Sequence, residues 1–386
     1  MVTSVERIYL DHAATSPMHP SVIATMIKVM KEQFGNPSSI HSFGREARLL
    51  LNQAREDIAK SIGAKSKEII FTSGGTEADN LAIMGIADAY HQKGKHIITT
   101  VIEHHAVLHT CRVLEKNGFE VTYLPVDETG MVSVRSVQEA LREDTILVTI
   151  MYGNNEVGRV QPISEIGKML KELNHQAFFH SDGVQAFGLE IMDVQELKVD
   201  LLSVSAHKFN GPKGIGFLYV KSGLNLAPCT YGGEQERKRR AGTENVASIV
   251  GLCEAVRIAQ EQRLAKREQY NGYKAILLDH LKQVNVPFFV NGLLDHSLPH
   301  VLNVSFPGVN VETLHVNLDL AGIAVSSGSA CTAGSIEPSH VLVAMFGKTS
   351  EKVTNSIRFS FGYTNTTEEI NKVAEVTAKI IKRLTN

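Results

Sequence analysis

Asp200-Leu-Leu-Ser-Val-Ser-Ala-His-Lys-Phe-Asn-Gly-Pro-Lys-Gly214 is where the reading of this chain starts. Residues 201–204 form an apolar, β-branched run that suits a buried strand, and Ser205, Ala206, His207 and Lys208 follow it directly. Gly211, Pro212 and Gly214 punctuate a turn, and a second apolar run, 215–220, begins at once. A lysine delivered from the end of a buried strand, between hydroxyl, imidazole and a glycine turn, suits Schiff-base chemistry. Desolvation lowers an amine's pKa and makes it nucleophilic toward an aldehyde. Alone, such a lysine is ordinarily a solvated strand cap. The flanking chain decides between the two.

Outward from this stretch, short apolar runs alternate with amphipathic segments. Strands are expected at 69–72, 96–100, 146–152, 177–180, 201–205 and 215–220, and helices at 76–92, 106–117, 134–142 and 164–174. That alternation is the pattern of βαβ units and a largely parallel sheet covered on both faces. Upstream, residues 8–15 read as a short strand entering a polar turn, and 20–34 and 45–62 show helical spacing. Downstream, 246–284 is one long helical pattern leading out of the first domain, with a break expected near Asn271-Gly272. Runs at 288–291, 300–306 and 357–361, a helix over 311–320, a Ser/Gly loop at 326–335 and a terminal helix from Glu368 make a smaller α/β unit.

The 386 residues exceed what one hydrophobic core usually supports, so two domains are expected. The boundaries are 15–260 for the larger, and 1–14 with 261–386 for the smaller. Apolar residues make up 43% and aromatics 6%, and the formal charge is −2, which points away from nucleic acid or membrane as partner. No run reaches the roughly 18 apolar residues that span a bilayer, and the first ten residues hold no signal-peptide core. Cys111, Cys229, Cys253 and Cys331 are too dispersed for a disulfide framework or a paired zinc motif. A cytoplasmic protein with reduced thiols is expected.

Three further stretches carry chemistry. Phe71-Thr-Ser-Gly-Gly-Thr-Glu-Ala-Asp79 runs strand, glycine turn, helix, and backbone N–H groups at such a helix start bind anions. Thr76 and Asp79 have capping-box spacing. Phe179-His-Ser-Asp-Gly-Val-Gln185 places Asp182 and Gln185 after a strand, where a carboxylate suits a ring nitrogen and an amide a ring oxygen. Glu103-His-His105 follows another strand. His105 and His109 stand at i and i+4, but without a third ligand or an HExxH pattern no metal site is expected, and His104 reads as structural or stacking. All these stretches sit at C-terminal strand ends, where open α/β sheets bind ligands. A phosphate cradle, a pyridinium partner and a Schiff-base lysine together describe pyridoxal phosphate.

Tyr9-Leu-Asp-His-Ala-Ala-Thr15, Gly35-Asn-Pro-Ser38, Thr72-Ser-Gly-Gly-Thr-Glu77, Glu103-His104, Asn154-Asn-Glu156, His180-x-Asp-x-x-Gln185, Ser205-x-His-Lys-x-x-Gly-Pro-Lys-Gly214 and Ser326-Ser-Gly-Ser-Ala-Cys331 appear in this order. Together they resemble the NifS/IscS-type cysteine desulfurases from about Arg7 onward, in the branch with the longer cysteine loop. The resemblance implies a fold-type-I α/β enzyme dependent on pyridoxal phosphate, with a mostly parallel central sheet flanked by helices. It implies a homodimer that converts L-cysteine to L-alanine and leaves a persulfide on the enzyme. By motif, Lys208 would hold the cofactor covalently, Asp182 pair with the ring nitrogen, Gln185 bond the ring hydroxyl and His104 stack on the ring. Thr76, Ser205, His207 and the backbone of Gly75 would bind phosphate, and Thr243 would reach the other subunit's phosphate. The basic run Arg237–Arg240 beside it would then lie near a dimer seam or substrate entrance rather than bind RNA. Arg358, with Asn155 or its neighbour Asn154, would hold the substrate carboxylate, and Cys331 would be the nucleophile.

The physical reading agrees with those assignments. A buried carboxylate of lowered pKa keeps a pyridine nitrogen protonated, and Arg grips a carboxylate bidentately where Lys does not. Cys331 lies among small residues without apolar periodicity, as a loop-borne thiol would, whereas Cys111 and Cys253 fall in helical apolar patterns. Ala206 and Gly183 stand where many relatives carry Gly and Ala, an exchange of small residues. The chain ends at Asn386, soon after its terminal helix, whereas housekeeping bacterial desulfurases carry a longer tail that engages the iron–sulfur scaffold. The expectation is therefore a sulfur acceptor that is a tRNA-thiolating enzyme or the iron–sulfur scaffold, with the scaffold put in doubt by that difference. A selenocysteine lyase or another transferase using the same cofactor is the alternative, and a catalytically silent relative is disfavoured by the intact Lys208, Asp182, His104 and Cys331.

Overall fold

The computed structural model describes residues 7–327 and 338–385. The chain opens with β1 (Ile8–Tyr9), α1 (Pro20–Glu32) and α2 (Ser42–Ser61). Alternation then sets in with β2 (Ile69–Thr72), α3 (Gly75–Tyr90), β3 (His96–Thr100), α4 (His105–Lys116), β4 (Glu120–Leu124) and α5 (Val134–Ala140). It continues through β5 (Thr145–Thr149), α6 (Ile163–Glu172), β6 (Phe178–Asp182), α7 (Val194–Leu197), β7 (Leu201–Ser205) and β8 (Gly216–Val220).

These strands form a seven-stranded sheet in the order β2-β8-β7-β6-β5-β3-β4. β7, β6, β5, β3 and β4 run parallel, while β8 is antiparallel to both its neighbours. The short glycine turn after Lys208 leaves no room for a crossover, so β8 must turn back beside β7. Alternate residues feed two cores, as a sheet buried on both faces requires. Phe71, Ile98, Val148, Phe179 and Val204 pack with Ile58, Ile166, Leu170 and Leu252. Ile70, Ile97 and Leu147 pack with Leu81 and Ile86 of α3 and Val107 and Leu114 of α4.

Beyond the sheet come the short α8 (Gln235–Lys238) and α9 (Val246–Gln283), then β9 (Phe289–Val290), β10 (Val301–Ser305), α10 (Val311–Leu320) and β11 (Ile323–Ala324). α11 (His340–Phe346), β12 (Ser356–Ser360) and α12 (Thr367–Thr385) complete the chain. β12, β10 and β9 form an antiparallel sheet, and β11 pairs in parallel with β1 through Ile8 opposite Ile323. Ile370, Val373, Ala374, Ala378 and Ile381 make one apolar stripe of α12 and join Leu302, Val304 and Leu314 in a separate core.

The α/β architecture with a mostly parallel central sheet matches the expectation. Two local readings are corrected. α9 runs unbroken for 38 residues through Asn271-Gly272. Among the described residues nothing lies within 4 Å of a side chain placed at Gly272, while buried Tyr270, Tyr273 and Leu277 carry the helix past it. The second is β4, an edge strand absent from the expected set; its exposed Glu120 and part-buried Val121, Thr122 and Tyr123 give no strong apolar run.

Candidate active site

The C-terminal ends of β2, β3, β6 and β7 border one cavity of about 290 Å³. It brings together Gly75, Thr76, His104, Asn155, Asp182, Gln185, Ser205, His207, Lys208 and Arg358. Thr243 is exposed and is not part of this lining. Cys331 and most of the expected 326–335 loop lie outside the described residues.

At the glycine end, the helix cap is Gly74, at φ 152°, and not Thr76. Thr76 is already inside the first turn of α3, so the capping-box reading fails. Glu77 instead accepts the Ser73 N–H at 2.6 Å and pairs with Arg240 at 2.8 Å. A side-chain carbon at Gly75 would stand 2.7 Å from Val184 and 3.6 Å from Ser205, so glycine keeps this approach to the helix start open. Asp79 turns inward and is 1% exposed.

Lys208 ends a single 3₁₀ turn, Ala206–Lys208, that continues directly from β7. Its Nζ donates to the carbonyls of Ala13 at 2.6 Å and Ala14 at 2.9 Å. Sequence reasoning missed these acceptors. A backbone carbonyl has no side-chain signature, although both residues lie in the quoted Tyr9–Thr15 motif. Gln185 lies beside them, donating to the Ala13 carbonyl at 2.8 Å and meeting His300 Nε2 at 3.2 Å through Oε1. His207 Nδ1 and Thr15 Oγ1 are 3.1 Å apart.

His104 is the N-cap of α4, its Nδ1 accepting the Ala106 N–H at 3.1 Å. Burial, helped by the Lys208 charge, pushes its pKa down to about 4. The ring is therefore neutral at pH 7, with its proton on Nε2. Asp182 departs from the expectation of a lowered pKa. Burial pushes it up to about 6, outweighing the Val184 N–H bond and the nearby Lys208 charge.

Arg358 reaches the cavity from β12, donating through Nη1 to the Asn155 carbonyl at 2.9 Å and pairing through Nη2 with Asp11 at 2.8 Å. Asn154 is fully buried; its amide donates to the Ile102 carbonyl at 3.1 Å and its oxygen accepts from Glu156 and Val157 N–H. Asn155 is the member of the pair that lines the cavity. Cys111 is buried in the α3–α4 core and Cys253 is part-buried, and burial pushes both thiols up to about 12. Cys229 is exposed, with its pKa also raised. In the basic run, besides the Arg240–Glu77 pair, Arg239 donates to the Leu224 carbonyl at 3.3 Å.

The class-V aminotransferase family model matches residues 8–373. IscS 1 of Bacillus subtilis (strain 168) is 63% identical over 381 residues, covering 99% of this chain and 100% of the relative. Cysteine desulfurase IscS of Dictyoglomus turgidum is 48% identical over 377 residues, covering 98% of this chain and 95% of the relative. A solved structure described as a NifS-like protein superposes with a TM-score of 0.92 at 37% identity, covering 98% of this chain and 100% of that one. Another, described as SspA in complex with cysteine, does so at 0.79 and 37%, covering 92% and 99%. On that breadth of agreement, the chain belongs to the class-V aminotransferase family, whose members depend on pyridoxal phosphate, and within it to the cysteine desulfurases.

Proposed function

We propose that this enzyme takes sulfur from L-cysteine, releases L-alanine, holds the sulfur as a persulfide on Cys331 and passes it to an acceptor. The observation that carries the reading is that Lys208, His104, Asp182 and Arg358 meet on one cavity although they come from four separate parts of the chain. The residues present fit pyridoxal phosphate. The open approach at Gly75 exposes the N–H groups of a 16-residue helix to a phosphate, with Thr76, Ser205 and His207 beside it. Buried Asp182 would gain a cationic N–H from the ring, which favours its charged form.

The cofactor, when bound, supplies the electron sink for the carbons of the amino acid. Lys208 would be its covalent anchor, aimed by the Ala13 and Ala14 carbonyls. Gln185 would face the ring hydroxyl. His104 would stack on the ring, its Nδ1 tied to the helix so that Nε2 is the atom that holds or moves a proton. Arg358, oriented by Asp11 and the Asn155 carbonyl, would take the substrate carboxylate together with Asn155. The Cys331 thiolate then attacks the substrate sulfur. A sulfur–sulfur bond forms, the carbon–sulfur bond breaks, and its electron pair on the β-carbon takes a proton, which gives alanine.

Further parts of the reading rest on the surface and the cores. A homodimer is supported by large apolar side chains left in water on α1, α2 and the loop between them: Met30, Phe34, Ile40 and Leu49 are 58–88% exposed. Thr243, exposed a few residues after the Arg240–Glu77 pair, would complete the partner's phosphate site. We divide the chain into domains at 15–260 and 1–14 with 261–386. In support, the buried apolar residues of α9 belong to the large core from Ile249 to Ala259 and to the smaller one from Tyr270 onward. A cytoplasmic location is consistent with free Cys111, Cys229 and Cys253, and no helix among the described residues is long and apolar enough to cross a membrane. The acceptor would be a tRNA-thiolating enzyme or an iron–sulfur scaffold.

The test is incubation with L-cysteine, with alanine and enzyme-bound persulfide measured together. Equal amounts of both in a single turnover are expected. Alanine without persulfide would sink the reading, and strong preference for selenocysteine would favour the lyase alternative.

A further inference from the structure

The segment between β8 and α9 takes a turn that its residues do not favour. Glu236, Arg237 and Lys238 follow one another at φ 46°, 57° and 66°, in the left-handed region that side chains rarely enter. Such a run persists only where its surroundings impose it. The same segment carries the exposed Thr243, and the proposed chemistry gives Glu236 no task.

A buried clasp holds the turn in place. The Glu236 carboxylate accepts Arg55 Nη1 at 2.7 Å and Nη2 at 2.6 Å, a two-point pair between side chains only 2% and 7% exposed. It also accepts the Phe71 N–H at 3.1 Å, on the outer edge of β2, the last strand of the sheet. Arg55 comes from α2, donates to the Ile69 carbonyl at 2.6 Å and lies over the Phe71 ring, 4.5 Å from its centre. From this footing the segment is held onward to Thr243. Gln235 Oε1 accepts the Gly242 N–H at 3.1 Å, and Arg240 Nε donates to Glu77 at 2.8 Å. On the far side Asn245 caps α9, accepting the Ser248 N–H at 3.1 Å. Thr243 therefore stands between two fixed points. β2 has less need of the clasp, because Ile69–Thr72 is already paired with β8 along its whole length.

We propose that Glu236 is a positioning residue for the other subunit's cofactor site: its clasp with Arg55 holds the left-handed turn 236–238 and, through Gln235 and Gly242, sets where Thr243 presents its hydroxyl. This role rests on the reading that Thr243 completes the partner's phosphate site. The footing suits the task. Phe71 belongs to the large core, as do Leu51 and Ile58 on either side of Arg55 in α2, so the segment is tied to a rigid part of the molecule. A carboxylate shut from water with its guanidinium has no solvent to fall back on, so the pair holds one geometry.

The test uses the holoenzyme and the variants Glu236→Gln, Gln235→Ala, Thr243→Ala and Lys208→Ala. Glu236→Gln keeps the side-chain shape and loses the charge. On dilution into cofactor-free buffer it should lose pyridoxal phosphate about tenfold faster than the native protein, followed by visible absorbance. The sharper readout is which subunit suffers. In a mixed dimer with Lys208→Ala, a Glu236→Gln lesion acting across the interface falls on the site that already lacks Lys208. The other site should then keep its cofactor at the native rate and carry about half of the native activity. A lesion acting within its own chain, for instance through Phe71, would leave neither site intact. Gln235→Ala leaves the buried clasp in place and so covers the case in which Glu236→Gln fails to fold; it should speed cofactor loss about threefold, with the same rescue on mixing. The proposal is overturned if cofactor loss stays at the native rate in either variant, or if mixing with Lys208→Ala rescues Thr243→Ala but not Glu236→Gln. Failure to rescue Thr243→Ala itself would overturn the reading of Thr243, and the role of Glu236 with it.

Discussion

Arg358 Nη2 lies 2.8 Å from Asp11 Oδ1, joining two residues 347 positions apart in the chain. Arg358 is 3% exposed, and its Nη1 is tied to the Asn155 carbonyl. A guanidinium held on two sides offers its remaining N–H groups in a set direction, which is what carboxylate recognition needs. Arg358→Lys keeps the charge but loses the planar fork. We expect it to retain pyridoxal phosphate and to raise KM for L-cysteine by about tenfold to a hundredfold, the scale of one charge-assisted hydrogen bond. Asp11→Ala should move KM the same way by less. Unchanged KM in Arg358→Lys, from initial rates over a range of cysteine, would remove Arg358 from the substrate site.

The nucleophile can be separated from the cofactor chemistry. Cys111 and Cys253, with thiols pushed up to about 12, hold almost no thiolate at neutral pH. Cys331→Ala should therefore bind pyridoxal phosphate and change its visible spectrum on adding cysteine, yet release almost no alanine and form no persulfide. Normal alanine production with a persulfide mapped to Cys111, Cys229 or Cys253 would show that the nucleophile lies elsewhere.

Thr243 lends itself to subunit mixing, because it is exposed and outside its own chain's cavity. Lys208→Ala and Thr243→Ala homodimers should each be impaired. A mixed dimer places both lesions in one site and leaves the other intact, so about half of the native activity should return. No rescue in heterodimers confirmed by native mass spectrometry would mean that Thr243 acts in its own subunit or not at all.

Glu103 makes stability depend on pH. Burial raises its carboxyl from 4.5 to about 8, against bonds from the Thr100 hydroxyl at 2.6 Å and the Met151 N–H. Its folded pKa is above the unfolded one, so the unfolded chain releases this proton first as pH rises. The favourable contribution is complete below pH 4.5 and is lost on the way to about 8. For one proton the slope cannot exceed about 1.4 kcal/mol per pH unit. Glu103→Gln has no proton to release, so its Tm relative to the native protein should climb steadily across that window. Parallel Tm profiles for the two proteins would show that Glu103 does not titrate on unfolding.

The strands β2, β3 and β7, the helix α10 and the order of the site residues were legible from local pattern alone. Each such strand is buried on both faces and so reads as an apolar run, and Gly75, His104, Asp182 and Lys208 stand at or just after the ends of strands that the central sheet gathers at one edge. β4 was not legible, because an edge strand paired only with β3 needs no apolar run. Nor was the continuity of α9 through Gly272, which packing on either side of the glycine decides. Thr76 and Asp79 have the spacing of a cap, but the approach of Val184 and Ser205 puts the cap at Gly74 and turns Asp79 inward. Asp182 was read from its type as an acid of lowered pKa, yet how far it is buried depends on the elements stacked around it. The same holds for Lys208 on the Ala13 carbonyl and Arg358 on Asp11: local sequence sets which group a strand end delivers, and only the folded chain sets the dielectric and the distant partner that group meets.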